Sequence, residues 1–229
     1  MLIFPGFPAD AHSFYSEIAE NNNKVWFEEN KPRFKKNVQQ PAQMFVEIFG
    51  DRLRELVDGM QYDTRLTGSG SIFRIYRDTR FSKDKTPYKT NLAIAWWQGA
   101  GKKTNRPSFY FGLEGDSAFF GGGTYMFAGD YLDKYRQAVD DEKMGTELAE
   151  LIDHLTSKGY SVHGAQYKKV PRGFDKDHLR GDLLKYKGMY IAGQSISPDI
   201  VTSADLVDHC YALAADYAPL IKWQVKAFE

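Results

Sequence analysis

The chain has 229 residues, 42% of them hydrophobic, and its 30 Lys and Arg side chains are matched by 30 Asp and Glu. That length and apolar content can bury a sizeable core, and the neutral balance argues against a general nucleic-acid binder, whose domain is strongly basic. One cysteine, Cys210, excludes an internal disulfide, and no window approaches the ~18 apolar residues of a membrane span.

The start, Met1-Leu-Ile-Phe-Pro5, lacks a basic n-region and its apolar run stops at proline, so it does not read as a signal peptide. With no Asn-x-Ser/Thr acceptor either, a cytoplasmic protein is expected. Asp10 is placed to cap a first helix carrying Phe14 and Ile18. Asn21-Asn-Asn23 ends it and starts a second that presents Trp26 and Phe27. These aromatics are either the wall of a ligand site or, as large aromatics more often are, core packing. Pro41 opens the helix that follows, where Phe45, Phe49, Leu53 and Leu56 recur along one face.

Gly68-Ser-Gly70 precedes a strand where a dinucleotide fingerprint needs a helix, and it reads as a hinge-like loop. Ser71-Ile-Phe-Arg-Ile-Tyr-Arg77 is β-branched and aromatic. Alternation puts Phe73, Ile75 and Arg77 on one face and Ile72, Arg74 and Tyr76 on the other. After Asp78 the turn-type residues Ser82 to Thr86 form a loop that Pro87 ends, and Leu92–Trp97 reads as a buried strand. The segment Arg74–Asn91 holds six cations and two acids, so it stands at +4 in a neutral chain. It joins two strands at the rim of a sheet, where sites are commonly built.

Phe109, Phe111 and Leu113 alternate with Ser108, Tyr110 and Gly112. Glu114-Gly-Asp116 then turns the chain back into Ser117–Gly121, which predicts an antiparallel meander. The triple glycine Gly121-Gly-Gly123 permits either close approach of a ligand or a bulge against another strand. In the helix from about Gly129 to Asp141, Arg136 falls in line with Leu132 and Val139. It therefore has to meet an internal carboxylate or line a cleft. Leu148, Leu151, Ile152 and Leu155 form an amphipathic helix that Gly159 stops. A short strand from Tyr160 to about Val162 follows. Asp177 and His178 sit near the start of a short helix ending in Leu184-Lys-Tyr-Lys187. Gly188–Ala192 reads as a strand, and Thr202-Ser-Ala-Asp205 as a capping box opening the last helix. On that helix Leu206, Cys210, Leu213, Tyr217 and Leu220 make a buried stripe, and Pro219 kinks or restarts it.

The phrase RIYRDTRFSKDKTPYKTN, Arg74 to Asn91, resembles the signature of an uncharacterised family catalogued as domain of unknown function 2461. The similarity also takes in Glu20–Phe27, Phe119–Tyr125, Leu132 with Arg136, Pro171–Phe174 and Leu184–Lys187, and so nearly the whole chain. One departure is Asp177-His-Leu179, where the family pattern favours a proline after the histidine, so no role is carried onto His178. The resemblance implies no activity.

The tests for known chemistry come out negative. His12, His154, His163, His178 and His209 show no metal-binding spacing, no Gly-x-Ser-x-Gly elbow or P-loop occurs, and Cys210 lies on a core stripe. No metal, cofactor or catalytic residue is nominated. Asp78 and Asp84, flanked by cations, should stay ionised, which suits pairing better than proton transfer. The expectation is one α+β domain over residues 1–229, with an antiparallel sheet of about four to six strands packed by N-terminal, middle and C-terminal helices. The site expectation is a basic cleft for a small phosphate-, sulfate- or carboxylate-bearing ligand, built from Arg77, Arg80, Lys83, Lys85, Tyr88, Lys89, Arg136 and Lys185. The alternative is a structural or interaction module whose basic loop is saturated by internal acids or meets an acidic partner.

Overall fold

The computed structural model describes residues 3–99 and 101–229. Three N-terminal helices come first: α1 (Asp10–Glu20), α2 (Lys24–Phe34) and α3 (Gln40–Leu56). Asn23 caps α2 by accepting from the Trp26 amide at 3.0 Å. Asp10 does not cap α1; it is the first helical residue, behind Ala9. Its carboxylate instead accepts from Arg33 at 2.7 to 2.9 Å and from Asn37 at 2.6 Å. A guanidinium offers a charge-assisted bond stronger than an amide can give. Pro41 stands in the first turn of α3, where a helix-opening proline is expected. A π turn over Lys35–Gln39 joins α2 to α3, just ahead of the proline that has no N–H to offer.

Six strands follow in one sheet: β1 (Met60–Gln61), β2 (Asn91–Gln98), β3 (Ser108–Glu114), β4 (Ser117–Thr124), β5 (Val162–Ala165) and β6 (Tyr186–Ile196). Their order is β1-β2-β3-β4-β6-β5, with every neighbouring pair antiparallel. Helices α4 (Tyr131–Asp140) and α5 (Glu142–Ser157) lie between β4 and β5. The short α6 (Pro198–Val201) and the long α7 (Leu206–Phe228) close the chain. This is an α+β arrangement with helices packed on the sheet.

The helices cover one face. Ile94 and Trp96 of β2, Phe109 and Phe111 of β3 and Phe120 of β4 are fully buried there. Phe45 and Phe49 of α3 meet the Trp96 ring edge-on at 5.5 and 5.1 Å, and Trp96 Nε1 donates to the Val46 carbonyl at 2.9 Å. Tyr217 of α7 stacks on Phe120 at 6.1 Å. Gln224 ties α7 to two strands, accepting from Thr124 Oγ1 and donating to the Met189 carbonyl, each at 2.8 Å. Cys210 is buried, and its burial pushes the thiol pKa up, so the thiolate a nucleophile needs is disfavoured.

Several local expectations are corrected. Ser71–Arg77 is not a strand: only Ile72, opposite Ile94, and Tyr76, opposite Tyr88, form bridges. Ile72 and Ile75 are both buried although alternation puts them on opposite faces. The segment first pairs with β2, Phe73 donating to the Ala93 carbonyl at 2.9 Å. It then switches to residues 87–89, Arg77 donating to the Pro87 carbonyl at 2.9 Å and Lys89 to that of Ile75 at 2.7 Å. Changing partners requires a bend, and the bend breaks the period. Thr202–Asp205 is no capping box, because Thr202 and Ser203 donate back to the carbonyls of Pro198 and Ile200 at the end of α6. α7 runs unbroken through Pro219. Asp177 and His178 lie in turns that end in a single 3₁₀ turn, Leu183–Lys185, since His178 reaches Asp140 of α4 at 3.1 Å instead of packing within a helix of its own. The strand expected from Tyr160 begins only at Val162, because Tyr160 turns inward to bond Asp216 of α7 at 2.6 Å.

Candidate functional site

Because Ile94, Trp96, Phe109, Phe111 and Phe120 face the helices, the alternate residues of the same strands face the other way. On that second face lies a cleft of about 540 Å³. Ala95, Ser108, Gly121, Gly123 and Ala192 supply small residues to it from four neighbouring strands. Phe73, Tyr110 and Phe119 stand at one side, with Tyr110 and Phe119 stacked at 5.6 Å and Phe73 6.3 Å from Tyr110. Tyr125 and Tyr190, 5.5 Å apart, also line it, and His163 stacks on Tyr190 at 5.9 Å. Burial pushes the Tyr110 hydroxyl up to about 12, so it stays a neutral phenol at pH 7.

The glycines serve both packing and cleft. A Cβ at Gly121 would stand 2.7 Å from the Ile191 carbonyl oxygen, and one at Gly112 or Gly193 would run into the Phe119 ring at 2.4 or 2.6 Å. The β4–β6 register shifts between Phe120 and Gly122, the bulge that glycine in a strand often marks. The backbone that lets β6 approach is also the bare floor of the cleft.

Among the described residues one charged side chain lines this cleft, Lys103, and no carboxylate does. Lys103 is buried, with its Nζ 3.9 Å from the Phe73 ring centroid. It donates to the carbonyls of Gly68, Gly70 and Ser71, which ties the loop before Phe73 to the cleft wall. Desolvation, then the neighbouring Lys89, brings its pKa down to about 8. Lys89 itself sits 5.4 Å from the same ring, its pKa lowered by burial and by Arg74. Among the described residues neither Lys89 nor Arg74 has an ion-pair partner. The Phe73 end of the cleft thus gathers two cations, Lys103 and Lys89, and among the described residues no acid that bonds either.

The charged loop behaves differently. Arg77 bonds Asp84 at 2.5 Å, the Thr86 carbonyl at 3.2 Å and the Thr86 hydroxyl. Arg80 bonds both oxygens of Asp78, at 2.9 and 2.7 Å, and Lys85 reaches the Thr79 carbonyl at 2.9 Å. The Arg80 side chain holds Asp78 at about 2. The Thr86 amide, with Arg77 next, holds Asp84 at about 2, so both are ionised at neutral pH. Lys83 is exposed. Tyr88 is buried and stacks on Phe27 at 4.2 Å.

Arg136 lies over the Tyr167 ring at 4.9 Å, with its Nε enclosed and without a hydrogen-bond partner. Lys185 pairs with Asp182 at 2.6 Å. Of the expected site residues, then, Lys89 stands beside the cleft, whereas Arg77, Arg80, Lys85, Arg136 and Lys185 do not line it. Sequence reasoning missed Lys103 as a site residue. Its signal was a lysine pair, Lys102-Lys103, a few residues past the end of β2.

Among the described residues no group of three or more His, Cys, Asp and Glu is placed to hold a metal, and no helix is long and apolar enough to cross a membrane. No curated protein matches the chain. The family model described as "Conserved hypothetical protein (DUF2461)" matches residues 10–223, and the chain belongs to that family.

Proposed function

We infer that the protein binds a small anionic ligand with an apolar body in the cleft on the uncovered sheet face. The observation that carries this reading is the chemistry of the lining: aromatic and small side chains, one buried lysine and no carboxylate. An anion entering there meets the charge of Lys103, whose ammonium is held by the Gly68, Gly70 and Ser71 carbonyls, with Lys89 behind it, in a partly desolvated place where charge interactions are stronger than in water. The aromatic walls supply apolar contact, and the few polar groups fix orientation, the usual division of labour in a ligand site.

The loop from Arg77 to Lys85 supports a structural role beside this one. Its two acids pair with Arg77 and Arg80 and the Thr79 carbonyl holds Lys85 in place, so the arginines are engaged in shaping the loop. The test is a calorimetric titration with small carboxylates and phosphates at fixed ionic strength. Lys103→Met is expected to weaken binding about tenfold or more, ~1.4 kcal/mol. Binding unaffected by Lys103→Met, or no anion bound above a chloride control, rules the reading out.

A further inference from the structure

We propose that the ligand of this cleft is a planar aromatic acid, its ring system lying flat on the bare strands and its acid group turned toward Lys103. The proposal rests on the anion-binding reading above and names the class of molecule. Its basis is the register of the sheet. Ala95 of β2 pairs with Tyr110 of β3, which pairs with Gly121 of β4; Ser108 pairs with Gly123, which pairs with Tyr190 of β6. Two adjacent rows therefore run across the strands with almost no side chain standing up between Tyr110 and Tyr190. With strands ~4.8 Å apart, β3, β4 and β6 make a floor about 10 Å across.

Gly121 and Gly123 are demanded by the approach of β6, since a Cβ on either would meet its backbone at 2.7 or 2.4 Å. Ser108 and Ala192 extend the floor on the two sides of them, and Ala95 lies beyond Tyr110. A floor of peptide planes offers a flat surface, and flat molecules make the most contact with it. At its sides, Tyr110 and Phe119 form a stacked pair inclined by 25°, with Tyr190 and Tyr125 among the other lining rings. Such rings favour offset or edge contact with another aromatic over contact with a saturated ring. At the Phe73 end the cations Lys103 and Lys89 set the position of the acid.

The test uses the 229-residue chain at pH 7 and fixed ionic strength, titrated with three probes: 2-naphthoate, its saturated counterpart decalin-2-carboxylate, and neutral 2-naphthalenemethanol. Naphthoate is expected to bind at least tenfold tighter than either control. Ala192→Leu, which raises a side chain from the floor, should abolish that preference, and Lys103→Met should reduce naphthoate to the level of the neutral probe. Hydrogen exchange on the unmodified protein supplies a readout that needs no variant: naphthoate should slow exchange in β4 and β6. Equal affinity for the saturated acid overturns the planar-ligand proposal and leaves the anion reading standing. Failure of both acids to bind overturns both. Naphthoate binding that leaves exchange in β4 and β6 unchanged places the site elsewhere and overturns the proposal.

Discussion

Asn22 holds Tyr88 by both of its backbone polar groups: its Nδ2 donates to the Tyr88 carbonyl at 2.9 Å and its Oδ1 accepts from the Tyr88 amide at 3.0 Å. The side-chain amide thus does what a neighbouring strand would do, across 66 residues of sequence. Phe27, one turn into α2, stacks on the Tyr88 ring at 4.2 Å, so the same helix start fixes the ring as well as the backbone. The end of the charged loop is therefore anchored to the α1–α2 connection. That anchor sets the chain direction from which Lys89 reaches Phe73.

Asn22→Ala should cost about 1–3 kcal/mol, because it leaves a part-buried N–H and C=O without their partners. Asn22→Asp keeps the acceptor and loses the donor, so an intermediate loss is expected. Chemical denaturation with an unchanged slope is the check. A loss under about 0.5 kcal/mol for the alanine variant would mean that water replaces the clamp at no cost.

Arg136→Met should be mild. No carboxylate pairs with Arg136 among the described residues, so its removal strands no buried acid, a change that would cost about 3–5 kcal/mol. What is lost is the contact over the Tyr167 ring, about 0.5–2 kcal/mol for a half-buried arginine, while methionine keeps the apolar stem. Thermal melting distinguishes these magnitudes clearly. Anion titration should be unchanged, since Arg136 does not line the cleft.

How much of this could be read in advance follows from the range of each signal. The meander of β3 and β4 was legible because alternation and the Glu114-Gly-Asp116 turn are local, and Gly115 takes the positive φ of 49° that the turn requires. The inward placement of Arg136 was equally local; its partner was not, because Tyr167 comes 31 positions later and is an aromatic ring where an acid was sought. The Ser71–Arg77 segment misled because its composition suits a strand while its pairing is divided between β2 and residues 87–89. The cleft was hidden for a different reason. Ala95, Ser108, Gly121 and Ala192 are unremarkable singly and form a floor only once the strand register is known. The charge of the loop was plainly visible, but the pairing of Arg77 and Arg80 with Asp84 and Asp78 depends on how the loop folds back on itself.

Arg80→Ala combined with Lys85→Ala should leave cleft binding within about twofold of the parent, because both cations are engaged inside the loop. Asp78→Asn combined with Asp84→Asn should do the reverse, releasing Arg77 and Arg80 and raising the response to simple anions such as sulfate. Parallel titration of both double variants with sulfate and 2-naphthoate is the measurement. A tenfold loss of naphthoate binding in the alanine pair would shift the site from the cleft to the loop.

On the proposed reading, Lys103 makes anion binding in the cleft sensitive to pH. Burial, then Lys89, brings it down to about 8 from the ordinary lysine value of 10.5, so the folded protein resists the proton that the unfolded chain accepts readily. The sign follows from proton counts. Between pH 8 and 10.5 the unfolded chain binds more protons at this position, so stability rises with pH there, and below pH 8 the cost of the buried charge is fully present. Anion binding runs the other way, since it needs the ammonium: from pH 7 to pH 9 the protonated fraction falls about tenfold, and affinity should fall with it. Lys103→Arg, whose guanidinium keeps its proton throughout, should give a flat profile, and Lys103→Met should bind weakly at every pH. Titrating 2-naphthoate from pH 6.5 to 9.5 against all three proteins checks this, with denaturation of the parent and the methionine variant run in parallel. An affinity for the parent that is as flat as that of Lys103→Arg would show that the ammonium of Lys103 is not the charge the ligand meets.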